Sequence, residues 1–500
     1  MRVMKAKMKR LLCSSVALVF PVTILFTACH DTKVISNSGQ TQSTVKSSHV
    51  SATETGDKTQ TGTEYESNTT TEGSSATNSS STNKSVSTST SSTVNKPLKG
   101  YKFKYATAYP HQYVEGSSTV AAYFTSVFRQ IESKYGCKIE LMNYYNPDNV
   151  TNEINTAINA GNKVADIIEL PLASARNLAR AGALADQKKA GGLKLNNGNF
   201  DKVITEGFTF NNKVYGTCFF NSSYSGVFFN IDLIKKYAPN IDVYKLYKSG
   251  KWTWDAFRDL AIKTTVDTNN DNKKDIYGFS SNTNVIGLAL SSSAGGTVIR
   301  KNGKIKVVMC DQPGINALNW LKQMYKDDKV YKYVTNWKDA ETAFAEGEVA
   351  MFPFFIWAAP QDFGSVVEFD YGFVPFPKEN ESSSYKASIY SAPIYVMTRT
   401  NKDLNKTGII YNEISSISSK LKNDFINSLE DAGLNSDGIK AFNDLKTFSV
   451  LDFSIGVNFG DYSAQVDSTV FQSAKQPASV ISSIKTAMQK VCDDYYGQFK

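Results

Sequence analysis

The sequence predicts an α/β protein with mainly parallel sheets, divided into two lobes. Two observations carry this. From residue 101 to residue 182, strand-like and helix-like segments alternate, the pattern of strands joined by helical crossovers. Beyond the amino-terminal region about 400 residues remain, more than one core usually holds, so two lobes are expected.

The chain opens with Arg2, Lys5, Lys7, Lys9 and Arg10, followed by an apolar run from Leu11 to Phe26 that contains Pro21. This is the plan of a bacterial export signal over residues 1–28, short for a stable membrane span. Phe26-Thr27-Ala28-Cys29 resembles a lipoprotein box, in which the cysteine receives diacylglycerol and becomes the new first residue. Phe26 stands where leucine is usual, which leaves ordinary cleavage or an uncut anchor open. Residues 30–97 hold 17 Ser and 16 Thr and a single aromatic residue, Tyr65. Such a segment buries too little apolar surface to offset its chain entropy, so 29–98 is expected to be a disordered tether. Behind a lipidated cysteine a tether gives reach across a cell wall, which favours the extracellular face of a Gram-positive membrane. A glycosylated stalk has the same composition.

Formal charge is +8, of which the signal supplies +5 and the tether −1. No dense basic tract follows Arg10, so nucleic acid is not an expected partner. Cys137, Cys218, Cys310 and Cys492 lie far apart without metal-ligand spacing. Buried free thiols are expected, with one or two disulfides as the alternative outside a cell.

Tyr101 to Ala108 alternates aromatic and polar residues and reads as a strand, and Ser117 to Tyr135 carries apolar positions at helical spacing. Lys138 to Met142 reads as a strand, Val150 to Ala160 as a helix, and Ala165 to Leu170 as a strand ended by Pro171. The helix Ala173 to Ala181 closes on Gly182. Ligand sites of such folds lie beyond the carboxyl ends of the strands, which directs attention to residues after Ile168. Asn211 to Gly216 predicts a hairpin, Gly226 to Asn230 a buried strand leading into a helix from Asp232, and Thr253 an N-cap. Trp252 and Trp254 read as packing residues.

Four stretches resemble family 1 extracellular solute-binding proteins of ABC transporters, in that family's order. They are Ala165-Asp166-Ile167-Ile168, Phe228-Phe229-Asn230, the run from Thr253-Trp254-Asp255-Ala256-Phe257 through Asp267–Asp275 to Tyr277-Gly278-Phe279, and Phe344-Ala345-Glu346-Gly347-Glu348-Val349-Ala350-Met351. The resemblance covers the body from about residue 100 onward. It implies a type II periplasmic-binding-protein-like fold over 99–500, two lobes joined by a hinge that close over a solute and perform no reaction. The double crossover it implies places one lobe at 99–222 plus part of 388–500, and the other at 223–387 plus a carboxyl-terminal portion. Its expected partners are a small solute, most readily a sugar or oligosaccharide, and the subunits of an ABC permease, with the protein itself a monomer.

Sugars need flat aromatic faces for stacking and planar polar groups for paired hydrogen bonds. Trp357 lies six residues beyond Met351, where maltose-binding relatives carry a sugar-stacking tryptophan. Glu169 and Leu170 match a strand end where those relatives place cleft residues, though Leu170 is not aromatic. Asn221, Ser223 and Tyr224 precede the Phe229-Asn230 strand, Tyr109 follows the first strand, and Tyr390 and Ser391 precede the strand Ala392 to Val396, expected to return to the first lobe. Asp267, Asn269, Asp271 and Asp275 have the spacing of positions 1, 3, 5 and 9 of a calcium loop, but Asn272 and Gly278 replace its glycine and bidentate acid. A solvated turn rich in Asp and Asn is the plainer reading, and no other cofactor is implied.

The body holds one histidine, His111, and no HExxH, GxSxG or P-loop, so the commonest metal, serine-triad and nucleotide chemistries are excluded. Two alternatives to import remain: a surface glycan-binding or sensor subunit, and a glycosidase working with a carboxylate pair.

Overall fold

A computed structural model describes residues 96–109, 113, 118–143, 149–282, 284–364 and 366–499. The signal, Cys29, the tether as far as residue 95, and His111 lie outside the described residues. Nine strands form the two main sheets. In chain order they are β1 (Lys102–Thr107), β2 (Lys138–Asn143), β3 (Ile167–Pro171), β4 (Ser225–Asn230), β5 (Tyr277–Ser281), β6 (Tyr331–Tyr333), β7 (Val349–Phe355), β8 (Tyr371–Val374) and β9 (Pro393–Val396). The first sheet has the order β9-β3-β1-β2 and the second β6-β5-β7-β4-β8.

Both sheets are mainly parallel, and each contains one reversed strand. β1, β2 and β3 run together while β9 runs against β3, and β4 runs against both β7 and β8. The reversed strands are the ones by which the chain enters a sheet. A chain that crosses where parallel strands end must start its next strand at that edge, and so runs it backwards. Register confirms the shared edge: Pro393 at the start of β9 lies opposite Pro171 at the end of β3, and Ser225 at the start of β4 opposite Phe355 at the end of β7.

The local signals explain the elements. Ser118 accepts from the amide of Ala121 at 3.1 Å to open the helix Thr119–Tyr135, which buries Val120, Phe124, Phe128 and Ile131 along one face. Gly136 closes it at φ 74°. Asn211 and Asn212 hold positive φ of 48° and 61° in the hairpin between Thr209–Phe210 and Lys213–Val214. A second hairpin, Val298–Lys301 with Lys304–Val307, turns at Asn302-Gly303 and was not among the expected elements, although its Asn-Gly signal is in the sequence. Against it lies the carboxyl-terminal helix Pro477–Tyr496, whose Gln489 accepts from Val307 N at 3.0 Å and donates to Ile305 O at 3.1 Å.

Aromatic packing fills the interior. Trp252 donates its indole N–H to Pro375 O at 2.9 Å, and Trp254 stacks on Trp320 at 5.0 Å and 16°, so both are core residues. Cys137, Cys218, Cys310 and Cys492 are buried free thiols. Among the described residues no helix is long and apolar enough to cross a membrane.

The helix Asp461–Phe471 carries Asp467, whose carboxyl burial pushes up to about 6. With the folded value above the unfolded one, the neutral form suits the fold: stability is complete below about pH 4 and is lost as pH rises through about 6. Asp467→Asn is therefore expected to be more stable than the parent by about 2 kcal/mol at pH 7.5 and equal to it near pH 4, as measured by urea unfolding at the two pH values.

Candidate functional site: the carboxyl edges of the two sheets

The edge at which the chain crosses collects the side chains of interest. Thr217 is bridged to Tyr395 of β9, and the carbonyl of Tyr224 accepts from Ile356 N at 2.8 Å just past β7. Residues 217–224 thus tie the edge of one sheet to the edge of the other.

On the first sheet, Glu169 is 1% exposed. Its Oε2 accepts from Thr107 Oγ1 at 2.7 Å and from Tyr113 OH at 2.6 Å, and its Oε1 from Tyr395 OH at 3.1 Å. Burial pushes the carboxyl above its usual range, against the pull of these three donors. The structure places this carboxylate inside a cluster of hydroxyls, where it clamps β1, β3 and β9 together, rather than on a solvated strand end. Leu170 is fully buried. Tyr109 is partly buried above the cluster: its amide donates to Thr107 Oγ1 at 2.8 Å, and burial and then Glu169 raise its phenol. Tyr224 is buried, with its hydroxyl donating to Asp201 Oδ2 at 3.2 Å and its ring edge against Phe442. Asn221 is partly buried and accepts from Ser223 N at 3.0 Å, closing the bend before β4. Ser391 sits partly buried two residues before β9, beside Tyr390, whose hydroxyl donates to Gly287 O. Asn221 and Tyr224 share one crossing segment, and Tyr109 and Glu169 share one edge.

On the second sheet the end of β7 carries an aromatic wall. Trp337 stacks on Phe354 at 5.4 Å and 17°, and Trp357 stacks on Phe355 at 6.0 Å and 14°. The two indoles meet edge to face at 6.1 Å and 82°. Trp357 is 4% exposed, whereas Trp337 is only partly buried and is the outer of the two. Trp337 is the residue that the sequence reading missed. It stands at the first position of the helix Trp337–Ala345, directly after the N-cap Asn336, which accepts from Asp339 N at 2.9 Å. A bulky aromatic at a helix start, where burial does not require one, was the available signal. The helix runs back along β7, so its first turn lies at the same edge.

The Asp/Asn-rich loop does not converge on a point. Asp267 accepts from the amides of Asn270 and Asn272 at 2.7 and 2.8 Å, Asn269 from Asp271 N, Asp271 from Lys273 N, and Asp275 from the amide and hydroxyl of Thr268. The side chains are spent on the loop's own backbone, and among the described residues no group of three or more His, Cys, Asp or Glu is arranged to hold a metal.

The profile of the family described as bacterial extracellular solute-binding protein matches residues 126–408, more than half of the chain. The protein belongs to this family. No curated protein matches it. Solved structures place the fold: an ABC substrate-binding protein from Listeria monocytogenes in complex with cycloalternan is 16% identical, with 80% of this chain and 100% of that one covered at a TM-score of 0.54. The GacH receptor of Streptomyces glaucescens, solved unliganded and with acarbose, is 14% identical over 79% of this chain and 99% of its own, with a TM-score of 0.56. UgpB from Mycobacterium tuberculosis in complex with glycerophosphocholine is 13% identical over 79% and 98%, at 0.57. The solute-binding protein described here thus has the two-lobe type II architecture, with mainly parallel sheets.

If Glu169 is the clamp of the first sheet, its loss leaves three buried hydroxyls without their acceptor. Glu169→Ala is expected to lower unfolding stability by at least about 3 kcal/mol, measured by denaturant titration.

Proposed function

We propose that the protein captures a carbohydrate of oligosaccharide size between its two lobes and delivers it to an ABC import permease. The observation that carries this reading is the wall of Trp337, Phe354, Phe355 and Trp357 at the carboxyl end of β7. Apolar sugar faces stack on such surfaces, and hydroxyls take the polar groups at their rim. Tyr109 and Ser391, in loops at the edge of the first sheet, and Asn221 in the crossing segment are the polar partners proposed for those hydroxyls, while Glu169 and Tyr224 hold the backbone beside them. Contacts made to both sheets at once favour the closed arrangement, and closure is what a permease reads. Two structural neighbours described with cycloalternan and with acarbose support a carbohydrate, and membership in a family of binding proteins supports capture without a reaction.

The remainder of the chain fits the same role. Lipid on Cys29, at the membrane's outer face, would hold the protein there, and the Ser/Thr-rich tether would keep the lobes at high local concentration beside the permease.

Calorimetric titration of the protein with malto-oligosaccharides, cycloalternan and glycerophosphocholine tests the reading. The expected result is saturable binding of at least one glycan with Kd at or below ~10 μM. Trp337→Ala and Trp357→Ala are each expected to weaken it at least roughly tenfold, about 1.4 kcal/mol. Binding of glycerophosphocholine alone would contradict the ligand class.

A further inference from the structure

Behind the aromatic wall lies a group of polar atoms that the packing leaves incomplete. Trp337 and Glu341 stand at positions i and i+4 of one helix and share a face. Lys338 Nζ sits 5.4 Å over the Trp337 ring, pairs with Glu341 Oε1, and lies 3.4 Å from Asp362 Oδ1. The other carboxyl oxygens, Glu341 Oε2 and Asp362 Oδ2, are buried and receive no N–H or O–H donor. Lys338 Nζ brings the two carboxyl groups to one place, where the repulsion between two carboxylates favours a proton on Glu341. The indole N–H of Trp357 and Nε2 of Gln361 are buried donors without an acceptor. They belong to the same turn, since Gln361 N donates to Trp357 O at 3.3 Å. Trp357 and Glu341 are 4% and 5% exposed, so neither atom is met by bulk water.

Buried donors and buried acceptors that both lack partners are what a ring of hydroxyls completes, because each hydroxyl both donates and accepts. Resting on the reading of the protein as one that captures carbohydrate, we propose that Glu341, Asp362, Gln361 and the Trp357 indole form a polar subsite for one sugar ring beside Trp337, and that the sugar's hydroxyls displace a proton from Glu341. The hydroxyls then donate to the ionised pair and the released proton passes to the buffer. Burial first, then the neighbouring Asp362, against the pull of Lys338, lifts the Glu341 carboxyl to about 7, so Glu341 is partly protonated at neutral pH. The charged surroundings are few. Neither β5 nor β7, on which the helix packs, carries a charged side chain. Asp339 is engaged with Asn336 at the N-cap. The helix Ser418–Asp431, which packs on the turn, sends Lys420 and Asp424 to Tyr123, and its Lys422 lies near Lys446.

The test is calorimetric titration with maltotetraose at pH 6, 7 and 8, with the pH 7 experiment run in buffers of different ionisation enthalpy. The parent is expected to release a fraction of a proton per sugar at pH 7 and to bind roughly tenfold more tightly at pH 8 than at pH 6. Glu341→Gln and Asp362→Asn are each expected to abolish the proton release and flatten the pH profile, with thermal unfolding reported beside them. Binding by the parent with no proton release overturns the subsite and leaves the carbohydrate reading intact. Absence of binding by any glycan between pH 6 and pH 8 overturns both. Because the parent's own proton count decides the first point, a variant that fails to fold does not blunt the test.

Discussion

The arrangement of the chain crossings governs everything else in this molecule. Residues 217–224 leave the edge of the first sheet at the Thr217 bridge to Tyr395 and reach the second at the hydrogen bond between Ile356 N and Tyr224 O. A chain that crosses at the carboxyl edge has to enter the next sheet there, and the reversed strands β4 and β9 are the result. The ends of β1, β3 and β7 and the beginnings of β4 and β9 are thereby brought to one edge of each sheet. Loops at that edge carry side chains free of the ladder, and for this reason Tyr109, Asn221, Ser391, Trp337 and Trp357 all occur there.

The two sheets contribute differently. The first is held by a buried carboxylate whose two oxygens satisfy three hydroxyls, so its edge is stiff and its polar groups are spent on each other. The second offers an aromatic surface with unspent donors and acceptors behind it. Rigid polar support on one side and an adaptable apolar face with open hydrogen-bonding capacity on the other is a division of labour suited to closing on a solute. An unmet buried polar group costs on the order of 1–3 kcal/mol, a burden that closure over hydroxyls would relieve.

Much of this was legible in the sequence because it rests on local rules. The Gly182 helix end, the Thr253 cap and the Asn211-Asn212 turn each announce themselves within a few residues, and the alternation of strand and helix announces the fold class. What could not be read depends on contacts distant in the chain. Glu169 looks like a residue on a strand end until Tyr113 and Tyr395, 56 and 226 residues away in the chain, are seen to enclose it. The pairing of Glu341 with Asp362 is similarly invisible, since only the return of the chain after β7 sets the turn against the helix. The start of the helix that carries Trp337 is signalled locally only by the Asn336 cap, and the tryptophan cannot be told from a packing residue until Phe354 and Trp357 are seen beside it. The spacing of Asp267, Asn269, Asp271 and Asp275 reads more plainly as a turn rich in Asp and Asn than as a cation loop, and backbone amides inside the loop engage the same oxygens.

The measurement that bears most directly on capture at the shared edge is amide hydrogen exchange with and without a saturating glycan. The account predicts slowed exchange in three segments together: residues 107–109, 219–225 and 354–363. Protection confined to one sheet, or centred on the surface groove lined by Asp242, Lys248 and Asp437, would contradict it.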